Sequence, residues 1–214
     1  MYGFPRQSPS PKASVRLRSD FDDSFTYKLH PRWVTQNVNA SDYTFTSGGF
    51  LWGVADAMST RRKLLQALPD GDCVLETCLH IPHGTSIGCG LMVASSTNPA
   101  TCYMAGPLLY GNQSNELYGN QSNDSYFFCQ HWSNGGDTYH GAQWTYTAPR
   151  CVTYLRVQRI GSAYTALWSI DGLVWTSRPF TVTQSITAAG FFWFAYDGDA
   201  TQWMQIRYFR YTTP

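Results

Sequence analysis

Residues 152–175 read VTYLRVQRIGSAYTALWSIDGLVW, and this stretch decides the fold class. Val152–Ile160 and Ala163–Ile170 are rich in β-branched and aromatic residues. Between them stands Gly161-Ser162, a two-residue connection with glycine first, which is the chemistry of a tight β-hairpin. Successive side chains of a strand point to opposite faces. Tyr164, Ala166, Trp168 and Ile170 therefore share one face, with Thr165, Leu167 and Ser169 on the other, and Trp168 is expected in the core. Asp171-Gly172 supplies the next turn and is expected to carry Trp175 back to the same layer.

Outward from the hairpin the same texture repeats. Short runs bounded by Gly, Pro, Asn and Asp lie at Asp42–Thr46, Phe50–Val54, Cys73–Ile81, Ser86–Ser95, Tyr103–Leu109, Tyr126–Trp132, Gln143–Thr147, Phe191–Tyr196 and Trp203–Tyr211. Many short strands punctuated by turns indicate an all-β sandwich. Ala55–Leu68 fits a helical period only loosely and ends at Pro69-Asp70-Gly71, so its second half is expected to be extended. A length of 214 residues suits one sandwich domain, here residues 20–214, preceded by an arm at 1–19. The arm carries Pro5, Pro9 and Pro11, with no alternating apolar pattern. Its Tyr2, Phe4, Arg6, Lys12, Arg16 and Arg18 either dock a partner or lie on the arm's own domain.

Composition excludes several functions. Only 14% of residues are charged and the net charge is +1, with no basic tract beyond Arg61-Arg62-Lys63. The field that draws proteins to a phosphate backbone is therefore missing, and no nucleic acid partner is expected. No run approaches the roughly 20 apolar residues of a membrane helix, and MYGFPRQSPSPKASVRLRSD lacks the apolar region of a secretory signal. Without that signal Cys73, Cys78, Cys89, Cys102, Cys129 and Cys151 are expected to be reduced, small hydrophobes, and none has the C-x-x-C spacing of a zinc site. The near-repeat YGNQSNEL/YGNQSNDS at Tyr110 and Tyr118 reads as a surface loop that tolerates duplication.

Four segments carry a family resemblance. FDDSFTYKLHPRW (21–33) looks like the opening strand of bacterial concanavalin A-like domains, and RKLLQALPDGDCVLETCLHI (62–81) resembles the pair that follows. YLRVQRIGSAYTALWSIDGLVWTSRP (154–179) is the most specific match. It resembles a hairpin reading Leu-Arg-x-x-Arg, a turn, then Ser-x-Asp-Gly-x-x-Trp. FFWFAYDGDATQWMQIRYFRY (191–211) is similar to the closing strands. The resemblance to the concanavalin A-like lectin and glucanase superfamily, including the domain appended to some bacterial xylosidases, implies a two-sheet antiparallel jelly roll. It does not fix function.

Catalytic groups are hard to find. Glucanases of that superfamily use Glu-x-Asp-x-Glu on one strand, whereas Glu76 and Glu116 are the only glutamates here and stand apart. There is no Gly-x-Ser-x-Gly elbow. Asp197 and Asp199 are weak calcium candidates, because two carboxylates in a turn fall short of six to eight oxygens. His80, His83, His131 and His140 have no ligating partners in register. No catalytic residue and no cofactor are therefore expected. Binding chemistry is better represented: YFFCQHWSNGGDTYHGAQW (126–144) interleaves aromatic rings with amide, imidazole and carboxylate groups. Such a mixture suits a sugar, which offers apolar C–H faces and hydroxyl edges. Tyr126, Gln130, His131, Trp132, Asp137, His140 and Trp144 are the glycan-site candidates, and the same rings would also serve as core packing. The expected role is a non-catalytic, lectin-like structural component of an assembly such as a bacteriophage capsid or tail. It would be made in the host cytoplasm, attached through the arm to other virion proteins, and able to meet cell-surface glycans. The alternative is a free bacterial carbohydrate-binding protein or a divergent glycoside hydrolase.

Overall fold

The computed structural model describes residues 19–53, 62–80, 87–97, 102–109, 125–133, 136–139, 144–146, 152–195 and 203–214. Within them run fifteen strands and one short 3-10 turn, Ala40–Asp42. In chain order the strands are β1 (Val34–Gln36), β2 (Tyr43–Thr46), β3 (Gly49–Gly53), β4 (Arg62–Ala67), β5 (Cys73–His80), β6 (Ile87–Ala94), β7 (Cys102–Leu109) and β8 (Ser125–Ser133). They continue as β9 (Gly136–Tyr139), β10 (Trp144–Tyr146), β11 (Val152–Ile160), β12 (Ala163–Ser169), β13 (Thr176–Phe180), β14 (Ala188–Ala195) and β15 (Trp203–Thr212). One sheet has the order β1-β4-β14-β6-β7-β8-β10, with β9 added on β8, and the other β13-β12-β11-β5-β15-β3-β2. Every pairing is antiparallel. The expected two-sheet sandwich is what forms, and the arm residues 1–18 lie outside the described residues.

The hairpin is as the sequence indicates: β11 pairs β12 from Tyr154↔Ser169 to Ile160↔Ala163, and Gly161 turns with φ +56°. Tyr164, Ala166 and Trp168 lie in the inter-sheet core, with Trp168 only 6% exposed. Ile170 does not join them, because β12 ends at Ser169 and Ile170 is exposed. Trp175 also departs from expectation. The pairing runs on with Trp168↔Thr176, so Trp175 falls opposite Ser169 on the outward face, where Arg156 stacks 3.8 Å from its ring centroid.

The two arginines of the hairpin do different work. Arg156 points outward to Glu76, whereas Arg159 points inward and donates to the carbonyls of Pro69, Gly71 and Ile186. Its fork thereby fixes the Pro69-Asp70-Gly71 turn against the core, the planar multidentate role a guanidinium fills. Arg62 is buried beside Asp42 at 3.4 Å and donates to the Gly53 carbonyl, tying β4 to the β3 end. The second half of Ala55–Leu68 is strand β4, as expected; 54–61 lie outside the described residues.

Between the sheets Phe25, Trp33, Phe50, Phe191 and Phe209 stack with centroids 5.3–6.0 Å apart, in the tilted and edge-on geometries aromatic pairs favour. The 22–33 segment and the last strand are joined here. Asp23 and Phe209 exchange backbone hydrogen bonds, Asp22 accepts from the Tyr211 N–H, and the Trp33 indole N–H donates to Asp23. The acidic pair and the Pro-x-Trp group of 21–33 are thus a fastening for the last strand.

Candidate functional site

Three places on the scaffold gather polar or aromatic chemistry. The first is the β8–β10 corner named by the sequence. Trp132 stands opposite Asp137, His131 opposite Thr138, Gln130 opposite Tyr139, Tyr126 opposite Thr145 and Phe127 opposite Trp144. Directly paired residues share a face, so Tyr126, Gln130, Trp132 and Asp137 belong together. His131 and Trp144 occupy the alternate positions, in line with Tyr103 and Ala105 of the inter-sheet core. The candidate set is therefore divided between two faces by the backbone register. Their side chains, and all of His140, lie outside what is described.

The second is a groove of about 920 Å³ walled by Ser19, Asp20, Asp22, Asp23, Ser24, Thr26, Tyr27, Lys28, His30 and Arg32. Sequence reasoning missed it, since it is built from an irregular segment. Between the lining residues Ser24 and Thr26, Phe25 turns away into the core, wholly buried and held at φ +51°. A bulky residue in the left-handed region costs about 1–3 kcal/mol and persists only where surroundings enforce it. Here Asp23 Oδ1 accepts from the Phe25 N–H at 2.8 Å while the ring packs on Trp33, Phe50 and Phe191. Arg32 braces the wall by donating to the Asp20 and Asp22 carbonyls, with the Asp23 carboxylate 3.8 Å away. The Arg32 N–H donates to His30 Nδ1, which leaves Nε2 as the protonated nitrogen of the neutral ring. Tyr27 stands 88% exposed at the rim.

The third is the outward face of the seven-stranded sheet. Glu76 accepts from Arg156 Nε at 2.7 Å and from the Tyr208 hydroxyl at 2.8 Å, with Arg210 at 3.5 Å. Burial, reinforced by the neighbouring Glu76 charge, raises the Tyr208 pKa and keeps the phenol a donor. Both Glu76 oxygens are thus engaged, Oε2 by the Arg156 guanidinium and Oε1 by the Tyr208 hydroxyl. At the sheet's end Asp171 organises the turn after β12, accepting from the Leu173 and Val174 N–H groups and from Ser169. Those bonds hold its carboxyl below the usual range.

Other candidates carry less. Cys73, Cys78, Cys89 and Cys102 are buried and joined in no disulfide. Burial pushes Cys78 up to about 11 and raises Cys73 and Cys89, so none is a ready thiolate. Cys129 and Cys151 lie outside the described side chains. Among the described residues no three His, Cys, Asp or Glu groups gather to hold a metal, and no helix is long and apolar enough to cross a membrane. The calcium candidates Asp197 and Asp199 lie outside the described residues, as do the arm candidates Tyr2, Phe4, Arg6, Lys12, Arg16 and Arg18. His80 sets its ring edge-on to Trp203 with centroids 5.5 Å apart, a packing contact.

No family model and no curated protein matches the chain. Solved structures do. The chain is similar to xylan β-1,4-xylosidase from Bacillus halodurans C-125, at 14% identity and TM-score 0.66, covering 97% of this chain but 41% of that enzyme. It is similar to the Bacillus licheniformis β-glucanase, at 13% identity and TM-score 0.60, covering 91% of this chain and 98% of the other. It is likewise similar to the CBM2 module of the evolved Dit of Lactobacillus casei BL23 phage J-1, at 7% identity and TM-score 0.61, covering 89% and 93%. The fold is thus the concanavalin A-like jelly roll, and the expected resemblance to part of a bacterial xylosidase is a likeness of fold.

Proposed function

We propose that the chain is a non-catalytic, lectin-like module of a larger assembly, a bacteriophage virion, where it meets saccharides. The observation that carries this is the poverty of carboxylates on the strands. Among the described strand residues only Glu76 and Asp137 are acidic, and they lie in different sheets. Glycoside hydrolysis requires two carboxyl groups about 5–9.5 Å apart, flanking one bond. Glu76, held by two guanidiniums and a phenol, fills neither role. The similarity to nearly the whole of a phage Dit module supports a binding unit borne on a particle. The β-glucanase, matched over nearly its whole length, keeps a divergent glycosidase as the alternative reading.

The experiment pairs a glycan array with a reducing-sugar release assay on the intact chain. Binding without release is the expected outcome; release at a rate proportional to protein concentration would establish the hydrolase. For the assembly role, removal of residues 1–19 is expected to abolish attachment to the particle, and undiminished attachment would remove the arm from it.

A further inference from the structure

We propose that the groove at Ser19–Arg32 is a binding site for neutral saccharides. This rests on the glycan-binding reading but moves the site across the molecule. The groove's segment is anchored on β4 by the Gln66 side chain donating to the Phe21 carbonyl, and its chain enters β1 at the sheet edge. Strand β8 stands four places from β4 in that sheet. At about 4.8 Å per strand the two places are roughly 19 Å apart.

The lining matches sugar chemistry group by group. A volume of about 920 Å³ lies at the upper end of the range of small-ligand sites, roughly 300–1,000 Å³. Tyr27 offers an exposed aromatic face for the C–H side of a pyranose. Asp20 accepts from vicinal hydroxyls, Lys28 donates, and His30 donates through Nε2 because Nδ1 is already accepting. Charge selects among saccharides: the wall holds Asp20, Asp22 and Asp23 against Lys28 and Arg32, a balance of one negative charge that disfavours uronic or sulfated sugars. Preorganisation is also present, because Arg32 and the constrained Phe25 fix the wall in the unliganded state, lowering the ordering cost of binding.

The test measures binding of soluble neutral gluco-, xylo-, manno- and galacto-oligosaccharides, and of their acidic counterparts, to the intact chain by calorimetry. Tyr27→Ala is expected to weaken the best neutral ligand about tenfold or more, with Tyr27→Phe staying within about threefold. Tyr27 is exposed, so neither substitution perturbs folding; thermal melts verify this. If Trp132→Ala or Asp137→Ala removes binding while Tyr27→Ala does not, the groove is overturned and the glycan reading survives. If the unaltered chain binds no saccharide, both fall. Preference for the acidic series overturns the assignment to neutral sugars.

Discussion

The two sheets of the sandwich treat their outer faces in opposite ways. In the seven-stranded sheet, β11 and β12 alternate buried and half-exposed positions, and the outward side chains are Arg156, Gln158, Thr165 and Glu76. The eight-stranded sheet is buried on both sides along its middle strands. Leu64, Leu91, Val93 and Phe191 face the inter-sheet core, yet Leu65, Met92, Ala94, Met104 and Phe192, at the alternate positions, are also 0–1% exposed. The difference shows in the sequence as period. One-sided burial writes alternation, whereas two-sided burial writes continuous apolar runs such as IGCGLMVA and AAGFFWFA.

The largest effect that can break this comparison belongs to Gly90. It faces Gly106 across β6 and β7 with φ +154°, and a Cβ there would lie 2.3 Å from the Ala105 carbonyl oxygen and 2.7 Å from the Gly106 Cα. Both obstacles are backbone and cannot swing aside. Gly90→Val is expected to destabilise by more than about 4 kcal/mol, the range reserved for backbone strain and core overpacking. Loss of the cooperative thermal transition in circular dichroism checks it; a melting temperature within a few degrees of the parent would mean that the two strands do not approach so closely.

Phe192 tests the second face directly. Phe191→Ala, in the core, and Phe192→Ala, on the opposite side of the same strand, are both expected to cost about 3–5 kcal/mol in urea unfolding, as deletion of a fully buried ring does. If Phe192→Ala costs less than about 1 kcal/mol, the eight-stranded sheet has one wet face after all, and the contrast disappears.

Most strands were legible because their runs are long and bounded. The strands missed were β1, β9 and β13. Val34–Gln36 is three residues at an edge, Gly136–Tyr139 opens with glycine, and Thr176–Phe180 contains Pro179, a residue that demotes a run to an edge strand, which β13 proves to be. Trp175 was misplaced because alternation was carried across a turn, while the cross-strand register sets the parity. The groove was invisible for a different reason: its central reversal uses Phe25 at positive φ, where a reader looks for glycine or asparagine, and its walls converge only after Arg32 and Asp23 close on the backbone.

The smallest effect lies on the wet face. Glu76→Gln removes the charge shared by Arg156 and Arg210 but keeps one oxygen for the two Arg156 N–H groups, while its amide N–H donates to the Tyr208 hydroxyl oxygen, so hydrogen bonding is largely conserved. Both arginines remain about one-third exposed and keep their stacking on Trp175 and Tyr208. The loss is then that of a screened ion pair, about 1 kcal/mol or less at low salt and shrinking as salt is added. Urea midpoints in low and high salt measure it. A cost of several kcal/mol, unaffected by salt, would mean that Glu76 is sealed from water like Asp22 in the groove wall, and the face would then resemble the dry sheet opposite rather than contrast with it.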